Sequence, residues 1–177
     1  MGDRGTDIRA TQNRVIMALW TLNEQQAIKP ISANNTGKFT LLAEETQIKD
    51  LKPLIGYDFY QDLIQNPEST GNAALLEGGE YTYNGVTYTF RGLKYTLAYF
   101  LFANYVMSSW FSDTFTGFVT KTHEDAQPVS GGEKKNLRDI NVEIAMQDWH
   151  DCLHYIAANS QLFPYYLKTT NRKMMML

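Results

Sequence analysis

The chain has 177 residues, which is enough for one domain with a full hydrophobic core. Its formal net charge of -3 argues against a protein that attracts nucleic acid through a strongly basic surface. A single cysteine, Cys152, excludes an intrachain disulfide, and the first residues lack the pattern of a secretory signal peptide. The 11 Tyr, 9 Phe and 3 Trp residues suit either a tyrosine-rich core or surfaces that meet other subunits.

The N-terminal half of the sequence predicts helices separated by proline, glycine and asparagine. Pro53 suits the first turn of a helix, where its missing N–H would have no partner, and Gly56 is expected to reset that helix. In chain order the predicted segments are a helix from Ile8 to Leu22, a loop from Ala27 to Lys38, a helix from Thr40 or Leu41 to Lys52, a helix from Pro53 to Gln65, a loop from Glu68 to Asn72 and a short helical turn from Ala73 to Glu77.

A β-hairpin is predicted between Glu80 and Phe90. Strand-forming residues flank Asn84-Gly85, and Asn-Gly is the preferred pair for a two-residue turn because both positions need positive φ. An isolated hairpin is only marginally stable in water, so it must pack on the helix that starts at Gly92 or on a neighbouring subunit.

The C-terminal half predicts two long helices with a long connection between them. The first, from Gly92 to about Phe111, has no charge between Tyr95 and Ser112, but its polar and tyrosine residues favour a helix buried in a bundle over a membrane span. An apolar stripe predicts the last helix. The segments are a helix from Gly92 to Phe111, a loop from Ser112 to Gly132, a helix from Glu133 to Ser160 and a tail from Tyr165 to Leu177.

These segments predict a mainly α fold, a helical bundle with one short β-hairpin near residues 80–90, a long inter-helix loop and an extended C-terminal arm. We divide the chain into a helical domain, residues 1–162, and an arm, residues 163–177. The arm has anchors such as Tyr165 and three cations without an acidic residue, so it is expected to order only on a partner. Contact with nucleic acid and a plain disordered end are the alternatives for this arm.

The best candidate for chemistry is a metal site on the last helix. His150 and His154 are four residues apart, Glu143 shares their face, and two histidines with a carboxylate can bind zinc or iron. The glutamate of a His-Glu-x-x-His motif is missing, however, and the three residues lie away from the apolar stripe of Trp149, so a polar helix flank is the favoured explanation. Cys152 lies on the apolar stripe and suits a buried hydrophobe better than a nucleophile. We therefore expect no catalysis and no cofactor.

Three sequence blocks follow one another along the chain. They are Lys52-Pro-Leu-Ile-Gly-Tyr-Asp-Phe-Tyr-Gln-Asp-Leu-Ile64, Leu76-Glu-Gly-Gly-Glu-Tyr-Thr-Tyr-Asn-Gly-Val86 and Gly92-Leu-Lys-Tyr-Thr-Leu-Ala-Tyr-Phe100. In this order they resemble the head–tail connector (adaptor) proteins of tailed bacteriophages, most closely the ring proteins of crAss-like phages. The resemblance covers about Thr40 to Ser160 and includes the segment Thr114-Phe-Thr-Gly-Phe-Val-Thr-Lys121, which is similar to the family's loop between its last two long helices.

The resemblance implies a structural virion protein that joins the portal to the tail. It implies a homo-oligomeric, dodecameric ring, with the portal protein and other connector or tail proteins as partners, and with DNA only passing through the ring lumen. It implies no membrane partner and a location at the head–tail junction, after synthesis in the host cytoplasm. The alternative is a small helical metal-binding protein or metalloenzyme that uses Glu143, His150 and His154.

Two sets of residues are predicted to make contacts. The portal-docking arm would use Phe163, Tyr165, Tyr166, Leu167, Lys168, Arg172 and Lys173. The inter-subunit loop or hairpin would use Tyr83, Asn84, Gly85, Phe118, Lys121 and His123.

Overall fold

The computed structural model describes residues 18–32, 36–108 and 130–166, together with the backbone of residues 111–114 and 117–120. The helices are α1 (Leu22–Ile28), α2 (Thr36–Thr46) with a π-helical turn (Gln47–Leu51), α3 (Lys52–Ile55), α4 (Tyr57–Gln65), α5 (Thr70–Glu77), α6 (Leu93–Ser108), α7 (Gly131–Ala158) and a 3-10 turn (Ser160–Leu162). The strands are β1 (Gly79–Tyr83), β2 (Val86–Phe90), β3 (Phe111–Thr114) and β4 (Gly117–Thr120). The predicted mainly helical fold with a short hairpin is confirmed.

The first helix within the described residues begins where the predicted one was expected to end. The predicted segment from Ile8 to Leu22 falls mostly outside the described residues, and its end is wrong because α1 begins at Leu22. Thr21 caps α1, since its hydroxyl accepts from the backbone N–H of Glu24 while the Glu24 carboxylate accepts from the backbone N–H of Thr21. The buried side chain of Gln25 then fixes α1 to α6 by donating to the carbonyl of Ala98 at 3.2 Å.

The helices around Pro53 follow the prediction with one refinement. The π-helical turn ends two residues before Pro53, which cannot continue the helical ladder because it has no N–H. Gly56, with a φ of 83°, separates α3 from α4 as expected. The loop predicted over residues 68–72 is too long, because α5 already begins at Thr70 and buries Asn72, whose amide donates to the Asp62 carboxylate at 3.0 Å.

The core is built around α6 and α7, which lie side by side. The side chain of Leu97 on α6 and those of Trp149, Cys152 and Ile156 on α7 are buried in one cluster with residues of α2 to α5. The polar side chain of Asn104 links α6 to the π-helical turn, because its amide donates to the Asp50 carboxylate at 2.6 Å. Among the described residues, no helix is long and apolar enough to span a bilayer.

The long connection between α6 and α7 contains regular structure that the sequence analysis did not predict. The backbone of β3 and β4 forms a second antiparallel pair, in which Phe111 lies opposite Thr120. This corrects the prediction that residues 112–132 are a loop throughout and that α6 continues to Phe111, since α6 ends at Ser108. Threonine, phenylalanine and valine favour strands, which accounts for the pairing.

The predicted arm begins too early in the sequence, because its first residue, Phe163, belongs to the folded body of the helical domain. Phe163 is 1% exposed and packs edge-on against Phe59, with ring centroids 5.7 Å apart. Tyr166 also contacts Phe59, at a centroid distance of 5.6 Å. Large aromatic rings bury more area than almost any other side chain, so these two residues belong to the folded body.

Candidate functional site

The hairpin forms as predicted, with Asn84 and Gly85 at its turn. Their φ angles are 52° and 78°, which is the positive-φ pair that a tight two-residue turn requires. The strands pair in register, with Tyr83 opposite Val86 and Tyr81 opposite Tyr88. The turn therefore fixes which side chains share each face of the hairpin.

One face of the hairpin is aromatic and packs on the C-terminal half of α7. Phe90 stacks on Tyr155 with ring centroids 4.5 Å apart, and Tyr81 meets the same ring edge-on at 5.2 Å. Tyr81 and Tyr88 stack on each other at 5.5 Å. These contacts supply the support that an isolated hairpin lacks. The opposite face consists of exposed Glu80, Thr82, Thr87 and Thr89.

We call Tyr81, Tyr88, Phe90 and Tyr155 the aromatic anchor, and His154 belongs to it. Its Nδ1 atom is hydrogen-bonded to the Tyr81 hydroxyl, and its ring lies 4.7 Å from the Tyr88 ring and 5.9 Å from the Tyr83 ring. Burial raises the pKa of Tyr81, so its phenol is neutral at physiological pH. The structure thus gives His154 a role in holding the hairpin on α7.

The three predicted metal ligands, Glu143, His150 and His154, do not form a group that could hold a metal ion. Glu143 and His150 are exposed on α7. Within residues 18–32, 36–108 and 130–166, no three His, Cys, Asp or Glu side chains are grouped closely enough to hold a metal ion.

The base of the hairpin is fixed by an ion pair to the middle of α7. The Arg91 guanidinium donates to Oδ1 of Asp148, with the Nε atom at 2.9 Å, and it also lies 5.1 Å from the ring centroid of Tyr95. Asp148 is only 4% exposed, and burial raises the pKa of its carboxyl although Arg91 acts in the opposite direction. Arg91 is therefore the group that makes a charged carboxylate tolerable at this buried position.

The tip of the hairpin carries exposed apolar side chains. Tyr83 is 40% exposed and Val86 is 51% exposed, on the same face as the aromatic anchor but at the far end of the strands. We call Tyr83 and Val86 the hairpin tip. Because the anchor holds the strands rigidly, the tip presents a fixed apolar surface to solvent.

A second exposed surface lies at the other end of the α6–α7 pair. An open groove of about 340 Å³ is bordered by α2 with its π-helical turn, by the C-terminal end of α6 and by α7. Its lining is mostly polar and contains both charges, with Leu42 and Met107 as its two apolar residues beside Glu45, Lys49, Asn104, Ser108 and Arg138. We call this feature the α2–α7 groove. The residues of α7 before Arg138 extend past it, and Leu137 is exposed there.

The remaining predicted contact residues have different outcomes. Tyr165 is exposed, whereas Phe163 and Tyr166 pack on the body. Phe118 lies in β4, whose side chains are outside the described part of the chain. The side chains of Lys121, His123, Leu167, Lys168, Arg172 and Lys173 also lie outside it. Sequence reasoning missed Val86 and the groove residues, because no local pattern distinguishes an exposed apolar residue from a buried one.

The fold and these surfaces define a helical domain with an anchored β-hairpin, and sequence comparison places it in a family. Residues 51–174 match the model of a family of unknown function, DUF6712, so the chain belongs to that family. Neither the curated proteins nor the solved structures contain a match. The matched residues include the hairpin, α6 and α7, so the family model covers the hairpin tip and the α6 and α7 sides of the groove, but not its α2 side.

Proposed function

We propose that this chain is a structural virion protein, a subunit of the head–tail connector ring that joins the portal of a tailed phage to its tail. Its partners are further copies of itself, the portal protein and other connector or tail proteins. DNA passes through the lumen of the ring. The ring is homo-oligomeric and, as the resemblance to connector proteins implies, has twelve subunits.

The observation that carries the proposal is the placement of two different exposed surfaces, the apolar hairpin tip and the largely polar α2–α7 groove, at opposite ends of the α6–α7 pair. Tyr83 of the hairpin tip contacts His154 near the C-terminal end of α7, whereas Arg138 lines the α2–α7 groove near the N-terminal end. A subunit with two different contact surfaces can bind a neighbour on each side, which is what a closed ring requires.

The sequence blocks that resemble connector proteins supply the second support. They lie over α3 and α4, over the hairpin, and over the first half of α6. The middle block encodes β1 and the tight turn, so the segment that resembles a connector also builds the hairpin tip.

The proposal is tested in particles of the phage whose genome encodes the chain. Mass spectrometry of purified virions should detect the chain at a copy number close to that of the portal protein. A nonsense mutation in its gene should give DNA-filled heads that fail to join tails, because the connection between portal and tail is missing.

A nonsense mutation in the major tail protein gene is the matched control. It should leave the chain bound to heads, since the connector precedes the tail in this account. Absence of the chain from purified virions, or infectious particles formed without it, would contradict the proposal.

A further inference from the structure

The exposed side of α4 carries an open pocket that lies beside the C-terminal end of the described chain. Its volume is about 340 Å³, and it is lined by Tyr57, Asp58, Gln61, Asp62, Gln65, Asn66 and Tyr165. We call this feature the α4 pocket. Its lining combines two carboxylates with two tyrosine rings and contains no cation, so its chemistry favours a positively charged occupant.

Neither carboxylate is neutralised by a cation in the part of the chain that the structure describes. Asp62 accepts hydrogen bonds from amide side chains, including that of Asn72 at 3.0 Å, but an amide carries no charge. The ion pairs among the described residues include neither Asp58 nor Asp62. The ammonium group of Lys52 lies over the ring of Tyr57, 4.7 Å from its centroid, and pairs with neither carboxylate. Both carboxylates are therefore available to a further cation.

The chain continues from the α4 pocket into a segment of opposite charge. Tyr165 lines the pocket, and Tyr166 packs on Phe59 of α4, so the described chain ends at the pocket. Lys168 comes three positions after Tyr165, and three extended residues span at most about 11 Å. Its ammonium group can therefore reach the pocket. Residues 167–177 contain no Asp or Glu and three cations, Lys168, Arg172 and Lys173.

We infer that the α4 pocket binds residues 167–173 of its own chain, with the Lys168 ammonium group beside the carboxylates of Asp58 and Asp62. The charges of the two parts are complementary, and the chain itself is the tether between them. A short tether gives an effective concentration in the millimolar range, which exceeds that of a second copy at micromolar concentration. The inference goes beyond the proposed function and concerns the chain alone.

This contact gives the cations of the predicted portal-docking arm a second binding site. The sequence predicts that the arm orders only on a partner, whereas the α4 pocket offers residues 167–173 a site on their own body. The portal and the pocket then compete for Lys168, Arg172 and Lys173.

The contact is expected to be reversible and dependent on salt. An exposed ion pair shifts an equilibrium only about 1.5-fold to 5-fold, and contact of a cation with a tyrosine ring has a similar effect. Several such contacts on one tether should protect the bound segment about threefold to tenfold. Exposed charges interact over about 10 Å at 0.1 M salt but only about 3 Å at 1 M, so the protection should disappear at high salt.

The first experiment uses trypsin, because the three cations of the segment are also its cleavage sites. The wild type and an Asp58→Asn/Asp62→Asn variant are digested briefly at low salt, and the loss of the C-terminal peptides is followed by mass spectrometry of the intact chain. Cleavage after Lys168, Arg172 and Lys173 should be about threefold to tenfold slower in the wild type. The two rates should become equal at about 1 M sodium chloride.

A Glu80→Gln/Glu143→Gln variant is the matched control. Both residues are exposed and lie outside the α4 pocket, so this variant loses the same charge and should be cleaved like the wild type. Asp58→Asn alone retains the hydrogen bond between Asp62 and Asn72 and should lose part of the protection. Circular dichroism confirms that each variant is folded.

The second experiment identifies the occupant. A water-soluble carbodiimide joins a carboxylate to a nearby amine, so it should link Lys168 to Asp58 or Asp62. Lys168→Arg keeps the charge but removes the amine, so it should lose this cross-link and keep the protection from trypsin. In a mixture of isotope-labelled and unlabelled chains, the cross-linked peptides should come from a single chain.

Four results would overturn the inference. They are equal cleavage of the wild type and the Asp58→Asn/Asp62→Asn variant at low salt, an equal loss of protection in the control variant, absence of the cross-link to Lys168, and cross-linked peptides that mix the two isotopes. The last result would show that the pocket binds the segment of a second copy. None of these measurements involves the portal, so their failure leaves the proposed function untouched.

Discussion

Gly78 and Gly92 lie backbone against backbone at the base of the hairpin. A Cβ atom added to Gly92 would lie 2.5 Å from the amide nitrogen of Gly78, and one added to Gly78 would lie 2.4 Å from the carbonyl carbon of Arg91. The φ angle is 78° at Gly78 and 90° at Gly92, in a region that other residues rarely adopt. The two glycines let the chain leave α5, form the hairpin and enter α6 at the same point.

We predict that Gly78→Ala or Gly92→Ala lowers the free energy of unfolding by about 3 kcal/mol or more, because strain at positive φ adds to a clash with backbone atoms. Urea unfolding followed by circular dichroism measures it. Gly85→Ala should cost only about 1 kcal/mol, since its φ is positive but no atom lies within 4 Å of the added Cβ. Equal losses at Gly78 and Gly85 would contradict the close approach.

The ion pair between Arg91 and Asp148 predicts that removing the cation alone destabilises the fold more than removing both charges. Arg91→Met should destabilise the fold by about 1–3 kcal/mol at pH 7, because it leaves a buried carboxylate without its cation. Adding Asp148→Asn should recover part of this loss, since the remaining group is neutral. Arg138→Met is the matched control. It removes an exposed pair with Asp139 and should cost less than about 0.5 kcal/mol.

The same pair predicts the sign of a pH effect. The pKa of Asp148 is raised in the folded protein above its ordinary value of 3.8, so the folded state binds more protons than the unfolded state just above that pH. Asp148 therefore lowers stability as the pH rises through this window. The loss caused by Arg91→Met should shrink as the pH falls from 7 toward 4. A loss that grows at acid pH would show that Asp148 is not desolvated.

Two truncations test whether Phe163 and Tyr166 belong to the folded body. Removal of all residues after Leu162 should cost at least about 3 kcal/mol, because it deletes the buried ring of Phe163 and the ring of Tyr166 that packs on Phe59. Removal of all residues after Tyr166 keeps both rings, so it should cost clearly less than removal of all residues after Leu162. Thermal unfolding measures both, and similar melting temperatures for the two truncated chains would contradict this boundary.

The longer truncated chain also tests the arm as a docking element. It lacks Leu167, Lys168, Arg172 and Lys173 but keeps the body intact, so we expect weaker capture by the portal. Unchanged portal affinity would show that the helical domain, and not residues 167–177, binds the portal.

Cys152 should be unreactive in the folded protein. It is buried in the core, and burial raises the pKa of its thiol to about 12, so almost no thiolate is present at pH 8. Iodoacetamide should label it only after unfolding, at least about a hundredfold more slowly in the native state. Rapid labelling under native conditions would contradict its burial.

The features that the sequence predicted best are those fixed by neighbouring residues. Asn84-Gly85 specifies its own turn, and the apolar stripe of α7 marks a core face whatever it packs against. The start of α1 was missed although its signal is present, because Thr21 and Glu24 have the spacing of a capping box. Ser130 and Glu133 have the same spacing and cap α7 two residues earlier than predicted.

The surfaces could not be predicted, because each depends on elements far apart in the sequence. The groove exists only where Leu42, Met107 and Arg138 come together. Asp148 would be read as a solvated residue of α7, and its burial becomes plausible only beside Arg91. Similarly, Phe163 follows a helix end and precedes a proline, so its sequence position alone suggested an arm.

The measurement that tests the central claim most directly is the mass of the complex between this chain and the portal protein encoded in the same genome. The two purified proteins are mixed and analysed by native mass spectrometry. A stable complex that contains one portal ring and one ring of about twelve copies of this chain is the predicted result. Two proteins that remain separate at every ratio, with no added mass on the portal ring, would contradict the account.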